Sequence, residues 1–95
     1  MITEHLKTGK NNAITGAELA ERLSCGLGAV TRAIESERRT GSLICADSNG
    51  YYLPADREEL ADFYKRYTNT LRRRFVTARP FKAALDVVEG QEEIA

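Results

Sequence analysis

Residues 14–39 of the chain read ITGAELAERLSCGLGAVTRAIESERR, and this stretch decides the fold. It opens on Thr15 and Glu18, which have the spacing of a capping box. In that motif the Thr15 hydroxyl accepts a hydrogen bond from the Glu18 backbone N–H, and the Glu18 carboxylate accepts one from the Thr15 N–H. The box predicts the start of a helix, and the apolar residues of one helix face follow it: Leu19, Ala20 and Leu23.

A second helix follows after a very short connection. Residues 24–26 leave room only for a tight turn, and the next helix is predicted from about Leu27 to Arg39. Gly41 suits a left-handed cap at its end. The inner apolar face of this helix consists of Val30, Ala33 and Ile34. Two helices joined by so short a turn are typical of a helix-turn-helix motif, whose second helix presents its outer face to a DNA major groove.

The segments on either side complete the pattern. Residues 43–46 and 51–53 are short β-prone runs, and the Asn49-Gly50 dipeptide between them is a strong hairpin-turn signal. Upstream, residues 2–8 have apolar residues at helical spacing and predict a short first helix. Ile14 is an isolated apolar residue that we interpret as a one-rung strand. The predicted order is therefore helix, short strand, helix, tight turn, helix and hairpin.

The remainder of the chain predicts a long helix from Asp56 to Arg79. Its apolar residues recur at steps of three and four: Leu60, Phe63, Tyr64, Tyr67, Leu71, Phe75 and Ala78. Pro80 is predicted to kink or end this helix, and residues 81–88 to form a further helical segment. We therefore predict an α+β, mainly helical chain, with a domain over residues 1–54 and a helical extension over residues 55–95.

Composition and motifs exclude several classes of protein. No stretch approaches the ~20 apolar residues of a membrane-spanning helix, and residues 1–12 have no apolar signal segment. We therefore expect a soluble, cytoplasmic protein without a membrane partner. Cys25, Cys45 and the single histidine, His5, do not have metal-binding spacing, and both cysteines are expected to be buried or half-buried. Since no phosphate-binding glycine loop or catalytic triad order occurs either, we expect no metal, no cofactor and no enzymatic activity.

The formal net charge is zero, but the charges are unevenly distributed. Residues 1–54 carry six Lys/Arg and six Asp/Glu, residues 55–81 carry seven and four, and residues 82–95 carry one and four. A neutral chain gains no general attraction to nucleic acid from its net charge. Any affinity for DNA must therefore come from a local surface.

Four segments together resemble winged-helix domains of the biotin-repressor type. They are ITGAELAERL at residues 14–23, Val30 with Ile34, TGSLI at residues 40–44, and GYYL at residues 50–53. The chain is also similar to the small winged-helix proteins encoded by prophages and mobile elements of Gram-positive bacteria. The resemblance implies a winged helix, with a three-helix helix-turn-helix core and a two-stranded β-hairpin wing, and it implies binding of double-stranded DNA.

On this interpretation the outer face of the helix over residues 27–39 and the hairpin tip contact DNA. Arginine can read guanine through two hydrogen bonds, and threonine can touch a thymine methyl group or a phosphate. The candidate DNA-binding residues are Leu27, Gly28, Thr31, Arg32, Glu35, Arg38, Arg39, Ser48 and Asn49. We accordingly expect a sequence-specific DNA-binding regulator of transcription, or an accessory factor, of phage or mobile-element type.

A second interpretation stays open, in which the winged helix binds a protein, such as a host defence or nucleic-acid enzyme that it inhibits. The helix over residues 27–39 is preceded by Gly26 and contains Gly28, where the family usually has a Ser or Thr cap followed by polar and basic residues. Glu35 and Glu37 place carboxylates on this helix, and the hairpin has no Lys or Arg. These features favour a protein partner, whereas the tight turn and the resemblance favour DNA.

The long C-terminal helix is expected to hold a homodimer. About 24 residues extend ~36 Å, which is more than the core of a small domain can cover, so part of the apolar stripe would meet water. The predicted dimerisation residues are Tyr67, Leu71 and Phe75. The alternative is a monomer in which residues 81–88 fold back over the stripe. The run Arg72–Arg74 is either a second phosphate-contacting surface or a solubilising one.

Overall fold

The structure, a computed structural model, describes the backbone of residues 1–94 and the side chains of residues 1–86. Its elements, in chain order, are 3-10 turns at Ile2–His5 and Lys10–Asn12, helices α1 (Gly16–Arg22) and α2 (Leu27–Arg39), strands β1 (Cys45–Asp47) and β2 (Gly50–Tyr52), and helix α3 (Arg57–Ile94). The fold class is α+β and mainly helical, as predicted. The chain divides into two compact units, Met1–Tyr64 and Lys65–Ala95.

Helix α1 begins at the predicted capping residue. The Glu18 N–H donates to the Thr15 hydroxyl at 3.1 Å, which satisfies one of the free N–H groups at the helix start. The Glu18 carboxylate does not return to Thr15 among the described contacts. It pairs instead with Arg22 one turn further on, at 3.0 Å. The capping box is therefore half-formed, because an exposed ion pair on the same helix competes for the carboxylate.

The corner between α1 and α2 has a Schellman-type arrangement. The Cys25 N–H donates to the Ala20 carbonyl at 3.0 Å and the Ser24 N–H to the Glu21 carbonyl at 3.2 Å. Ser24 has φ 52°, a left-handed conformation in which glycine is more usual. Cys25 lies in this corner, outside the apolar faces of both helices, and is exposed. The expectation that it is buried was wrong, whereas Cys45 is buried as expected.

Helix α2 occupies the predicted residues and ends in the predicted glycine cap. Gly41 has φ 106° and its N–H donates to the Arg38 carbonyl at 3.1 Å. The Ser42 N–H donates to the Glu37 carbonyl at 3.0 Å, which completes a second Schellman motif. The inner face of α2 joins the hydrophobic core of the first unit, whose buried members are Ile2, Leu6, Ile14, Leu19, Val30, Ile34 and Ile44.

The N-terminal segment differs from its prediction. A 3-10 turn over Ile2–His5 replaces the predicted helix over residues 2–8, although Ile2 and Leu6 are still buried. The chain is already extended at Leu6 because the following residues pair with the end of the hairpin. The Leu53 N–H donates to the Lys7 carbonyl at 2.9 Å, and the Gly9 N–H donates to the Leu53 carbonyl at 2.7 Å. An α-helix continued to residue 8 would remove both bonds.

The hairpin pairs β1 and β2 antiparallel, with Asp47 opposite Gly50, so that residues 48–49 form a two-residue loop. The predicted Asn-Gly turn is thus shifted by one residue, and its glycine begins β2. On the other edge of β2, Tyr51 pairs with Ile14 through two hydrogen bonds, Tyr51 N–H to Ile14 carbonyl at 2.7 Å and Ile14 N–H to Tyr51 carbonyl at 2.9 Å. The one-rung strand predicted at Ile14 is confirmed.

A buried carboxylate joins the N-terminal turn to α2. Glu37 is 8% exposed, and its carboxylate accepts hydrogen bonds from the Ile2 N–H at 2.8 Å, the Thr3 N–H at 3.1 Å and the Thr3 hydroxyl at 2.7 Å. Burial by itself raises the pKa of the Glu37 carboxyl. The hydrogen bonds from Thr3 and Ile2 outweigh it, so the pKa lies below its ordinary value. Of the two carboxylates that the sequence analysis counted against DNA binding by this helix, the Glu37 carboxylate therefore points into the protein, whereas Glu35 is exposed.

Helix α3 runs from Arg57 to Ile94 with Pro80 inside it. The prediction that residues 81–88 form a separate segment was wrong, because they continue the same helix. The missing N–H of Pro80 costs the helix one hydrogen bond to the preceding turn without ending it. A fold-back of residues 81–88 over their own helix is therefore not observed. Within the described residues, none of the helices combines the length and apolar character needed to cross a lipid bilayer.

We predict that Glu37→Gln lowers the free energy of unfolding by roughly 1–3 kcal/mol at pH 7, since an amide cannot accept from all three donors as a carboxylate does. Because the pKa of Glu37 is lowered in the folded state, its contribution is present above the unfolded-state pKa and is lost as pH falls through the folded-state pKa. Urea unfolding of the parent protein and the variant should show a smaller difference in their free energies of unfolding at acid pH than at pH 7. Glu35→Gln is the exposed control on the same helix, and an equal loss there would contradict the prediction.

We predict that Gly50→Ala destabilises the first unit while Gly28→Ala does not. Gly50 has φ 129°, and a Cβ there would collide with the backbone of Ile14 and Thr15. At Gly28, inside α2, a Cβ would meet only the Arg32 guanidinium at 3.7 Å, so alanine should stabilise the helix by about 0.5–1 kcal/mol. Thermal unfolding of the two variants measures both effects. A Gly50→Ala protein as stable as the parent would refute the close approach of β2 to Ile14.

Candidate functional site

One face of α2 is open to solvent over its whole length. Five predicted DNA-binding residues lie on it, each exposed: Leu27, Gly28, Thr31, Arg32 and Glu35. Arg39 continues the same row in the last turn. The opposite side of the helix buries Val30, Ile34 and Glu37, which fixes which side faces outward. The structure therefore brings together six of the predicted residues on one row, which we call the α2 outer row.

Ser36 is a further member of the α2 outer row that the sequence interpretation missed. It is exposed and lies one turn beyond Arg32. Helical spacing alone could have found it, because residues four apart stand above one another on a helix. A hydroxyl at this point adds a hydrogen-bond donor and acceptor between the two arginines of the row.

The polar side chains of the α2 outer row differ in whether they already have a hydrogen-bond or ion-pair partner within the protein. The Thr31 hydroxyl donates to the Leu27 carbonyl at 3.2 Å, within its own helix. Arg39 and Glu35 form an exposed pair at 3.6 Å. The Arg32 side chain lies beside Gly28, and it has no hydrogen-bond or ion-pair partner in the part of the chain that the structure describes. Arg32 is therefore the most available cation of the row.

Arg38 does not lie on the outer row. It is half-buried, its Nε donates to the Ile44 carbonyl at 2.9 Å, and its guanidinium sits over the Phe63 ring, 5.2 Å from the ring centre. Both contacts hold α2 against neighbouring parts of the first unit. The side chain is therefore occupied in packing, and the sequence could not reveal this because Phe63 belongs to a distant part of the chain.

The hairpin tip supplies the last two predicted residues, Ser48 and Asn49, and both are exposed. The Asn49 N–H donates to the Asp47 carboxylate at 2.8 Å, so the tip has a local turn contact of its own. The base of the hairpin lies near the start of α2. A Cβ built on Gly16 would be 2.9 Å from the Leu27 side chain and 3.5 Å from the Tyr51 ring. The first turn of α2 and strand β2 therefore meet at Gly16.

Two carboxylates at the start of α3, those of Asp56 and Glu59, serve structure. The Glu59 carboxylate accepts from the backbone N–H groups of Lys10, at 3.2 Å, and Ala55, at 3.0 Å, while Asp56 caps α3 by accepting from the Glu59 N–H at 2.9 Å. No group of three or more His, Cys, Asp or Glu side chains that could hold a metal ion occurs among the described residues. Among the described residues, the α2 outer row therefore offers hydrogen-bonding groups and one arginine, Arg32, without a partner.

In the second unit, the predicted dimerisation residues share one side of α3 and are open to solvent. Tyr67 is 43% exposed, Leu71 47% and Phe75 71%. Large apolar side chains exposed in a row usually mark an interface.

Comparisons of this chain with protein-family models, with curated proteins and with solved structures find no match. A functional interpretation therefore depends on the residues and on the geometry described above.

We predict that Arg38→Ala lowers the free energy of unfolding by about 2 kcal/mol, because it removes a charged hydrogen bond to a backbone carbonyl and a cation–π contact. Arg39→Ala should change it by less than about 0.5 kcal/mol, because the exposed pair with Glu35 contributes little. Urea unfolding of the two variants side by side measures the difference. Equal losses would mean that the contacts of Arg38 do not stabilise the fold.

Proposed function

We propose that this chain is a winged-helix protein that binds double-stranded DNA through the α2 outer row. The observation that carries the proposal is the row itself, a solvent-exposed helix face that follows a tight helix–helix corner and has an unpaired arginine at its centre. A B-DNA major groove is about 12 Å wide and accepts one α-helix. The outer row is the only face of α2 that a groove could receive, since the opposite face is in the core.

The order and pairing of the elements support the winged-helix assignment. A short pairing segment at Ile14, two helices across a tight corner and a β-hairpin follow one another, and β2 pairs with both β1 and Ile14. In this assignment the β1–β2 hairpin is the wing. The start of α3 takes part in the first unit, since Phe63 receives the Arg38 guanidinium.

The geometry suggests a role for each group. Arg32 is the candidate for base contact, since it is unpaired and central in the row, while Thr31, Ser36 and Arg39 flank it as phosphate or base contacts. Ser48 and Asn49 at the tip can reach adjacent phosphates. Together with the resemblance to winged-helix proteins of mobile elements, this favours a regulator or accessory factor that acts by binding DNA, without enzymatic activity of its own.

A second candidate function, binding of a protein, is favoured by a specific observation. Leu27 on the outer row is 57% exposed and Leu43, just before the hairpin, is 56% exposed. Large exposed apolar side chains suit a protein partner better than a phosphate backbone. The hairpin tip has no cation, and Glu35 offsets Arg39. The partner would then be an enzyme of host defence or of nucleic-acid metabolism.

We predict that Arg32→Ala weakens binding of a selected duplex by roughly 1–3 kcal/mol if Arg32 reads a base. Selection from a random duplex library, followed by fluorescence anisotropy at two salt concentrations, supplies the duplex and the affinity. If Arg32 contacts a base, the substitution should weaken binding of the selected duplex more than binding of random duplex. If Arg32 contacts a phosphate, the substitution should weaken binding of both duplexes alike. It should also reduce the slope of log affinity against log salt concentration by about one.

Arg22→Ala is the matched control, because Arg22 is an exposed arginine on α1 that pairs with Glu18. It should leave duplex affinity within about twofold of the parent protein. If the unmodified protein binds no duplex of any sequence at low salt, the DNA proposal fails and the protein-binding candidate takes its place.

A further inference from the structure

We infer that Leu27 and Thr31 each contact a thymine methyl group, so that the α2 outer row prefers a duplex with two thymines beside the base pair that Arg32 contacts. The inference rests on the proposed function, since it concerns the same face of α2 and names the bases that this face selects. It is based on two observations, the hydrogen bond of the Thr31 hydroxyl and the position of the Leu27 side chain against α1.

The Thr31 hydroxyl is turned back onto its own helix. It donates to the Leu27 carbonyl at 3.2 Å, and this bond uses the only hydrogen that the hydroxyl has. Phosphate oxygens only accept hydrogen bonds, so the hydroxyl in this position has nothing to donate to a phosphate. Thr31 is exposed, and its methyl group is the part of the side chain left for contact with a ligand. The geometry therefore favours a thymine methyl over a phosphate for Thr31.

Leu27 adds a second apolar group on the same side of the helix, four residues before Thr31. It is 57% exposed, and its Cδ1 atom lies so near the first residue of α1 that a Cβ built on Gly16 would be 2.9 Å away. The side chain is therefore supported by α1 on one side and open to solvent on the other. A side chain that is already held in place loses less rotamer freedom on binding.

Thymine is the base whose major-groove edge carries a methyl group, whereas the other three bases present only hydrogen-bonding groups there. An apolar side chain gains by covering a methyl group and loses by covering a polar edge that then has no partner. Leu27 and Thr31 are about 6 Å apart along the helix axis, which is about two base-pair steps. For a helix that lies along the groove, we therefore expect two thymines, on either strand, within about three base pairs.

A protein partner is the other occupant that the exposure of Leu27 suggests. A major groove would also cover this leucine, so its exposure alone does not require a protein. Arg32 follows Thr31 directly and has no partner among the residues that the structure describes. Guanine and phosphate both accept hydrogen bonds from a guanidinium group. A duplex thus matches the two apolar groups and the neighbouring cation together, and the observations favour it.

Replacing thymine by deoxyuridine tests the inference on the DNA, because it removes only the C5 methyl group. Duplexes selected by the full chain from a random library are substituted at one thymine at a time, and affinities are measured by fluorescence anisotropy. At two thymines the substitution should weaken binding by about threefold to fivefold. The dependence on salt should not change, since no phosphate contact is lost. A thymine outside the selected positions is the control, and unchanged affinity for every substituted duplex would refute the inference.

A matched pair of variants tests which group of Thr31 makes the contact. Thr31→Ser keeps the hydroxyl and removes the methyl group, so it should bind about threefold to fivefold more weakly and lose the preference for thymine over deoxyuridine at one position. Thr31→Val keeps a methyl group and removes the hydroxyl, so its affinity should stay within about twofold of the parent protein. The opposite pattern, with weak binding by Thr31→Val alone, would assign the contact to the hydroxyl and refute the inference.

Leu27→Ala should abolish the preference for thymine over deoxyuridine at the other position only. Each variant is compared on two duplexes, so any loss of folded protein affects both affinities equally and cancels in their ratio. A preference that persists at both thymines in Leu27→Ala would overturn the inference.

The same measurements separate this inference from the proposed function. Duplex binding that never distinguishes thymine from deoxyuridine would overturn the inference and leave DNA binding by α2 in place. A full chain that binds no duplex of any sequence at low salt would overturn both, and Leu27 would then be assigned to a protein partner.

Discussion

The first unit depends on Glu37, which serves two parts of the chain at once. Its carboxylate accepts the N–H groups of Ile2 and Thr3, while its carbonyl accepts the Ser42 N–H at the end of α2. A buried carboxylate is costly unless donors surround it, and here three donors do. Together with the buried Val30 and Ile34, this inward-pointing side chain determines which side of α2 faces the core. The outward direction of Arg32 is thus a consequence of a contact on the other side of the helix.

The sequence predicted what local chemistry determines. The Thr15 cap, the bounds of α2, the Gly41 cap and the pairing at Ile14 each follow from a few neighbouring residues, and all are observed. The burial of Glu37 could not be predicted, since its donors lie 34 and 35 positions away in the sequence. A glutamate on a helix otherwise indicates a solvated face. The replacement of the predicted first helix by a 3-10 turn also depends on a distant partner, since Lys7 and Gly9 pair with Leu53.

In the candidate site, too, the sequence predicted what local spacing determines and missed what depends on distant residues. Helical periodicity identified most of the α2 outer row, and applied consistently it would also have included Ser36. It places Arg38 about 100° from Arg39 and one turn beyond the buried Ile34, but it could not identify the tertiary partners of Arg38. One is occupied by Phe63 and the Ile44 carbonyl, while the other meets only Glu35. The row is consequently less cationic than its sequence suggests, with Arg32 its one arginine that has no partner among the residues that the structure describes.

That scarcity of free cations bears on how tightly the α2 outer row could bind DNA. A surface that neutralises one or two phosphates gains little from counterion release, so a single copy would bind duplex weakly and depend on direct contacts for specificity. Joining two copies turns the second contact into an intramolecular step and raises the overall affinity without any new contact. The dimer predicted from Tyr67, Leu71 and Phe75 would supply that second copy, so the small net charge of α2 and the exposed row on α3 bear on the same affinity.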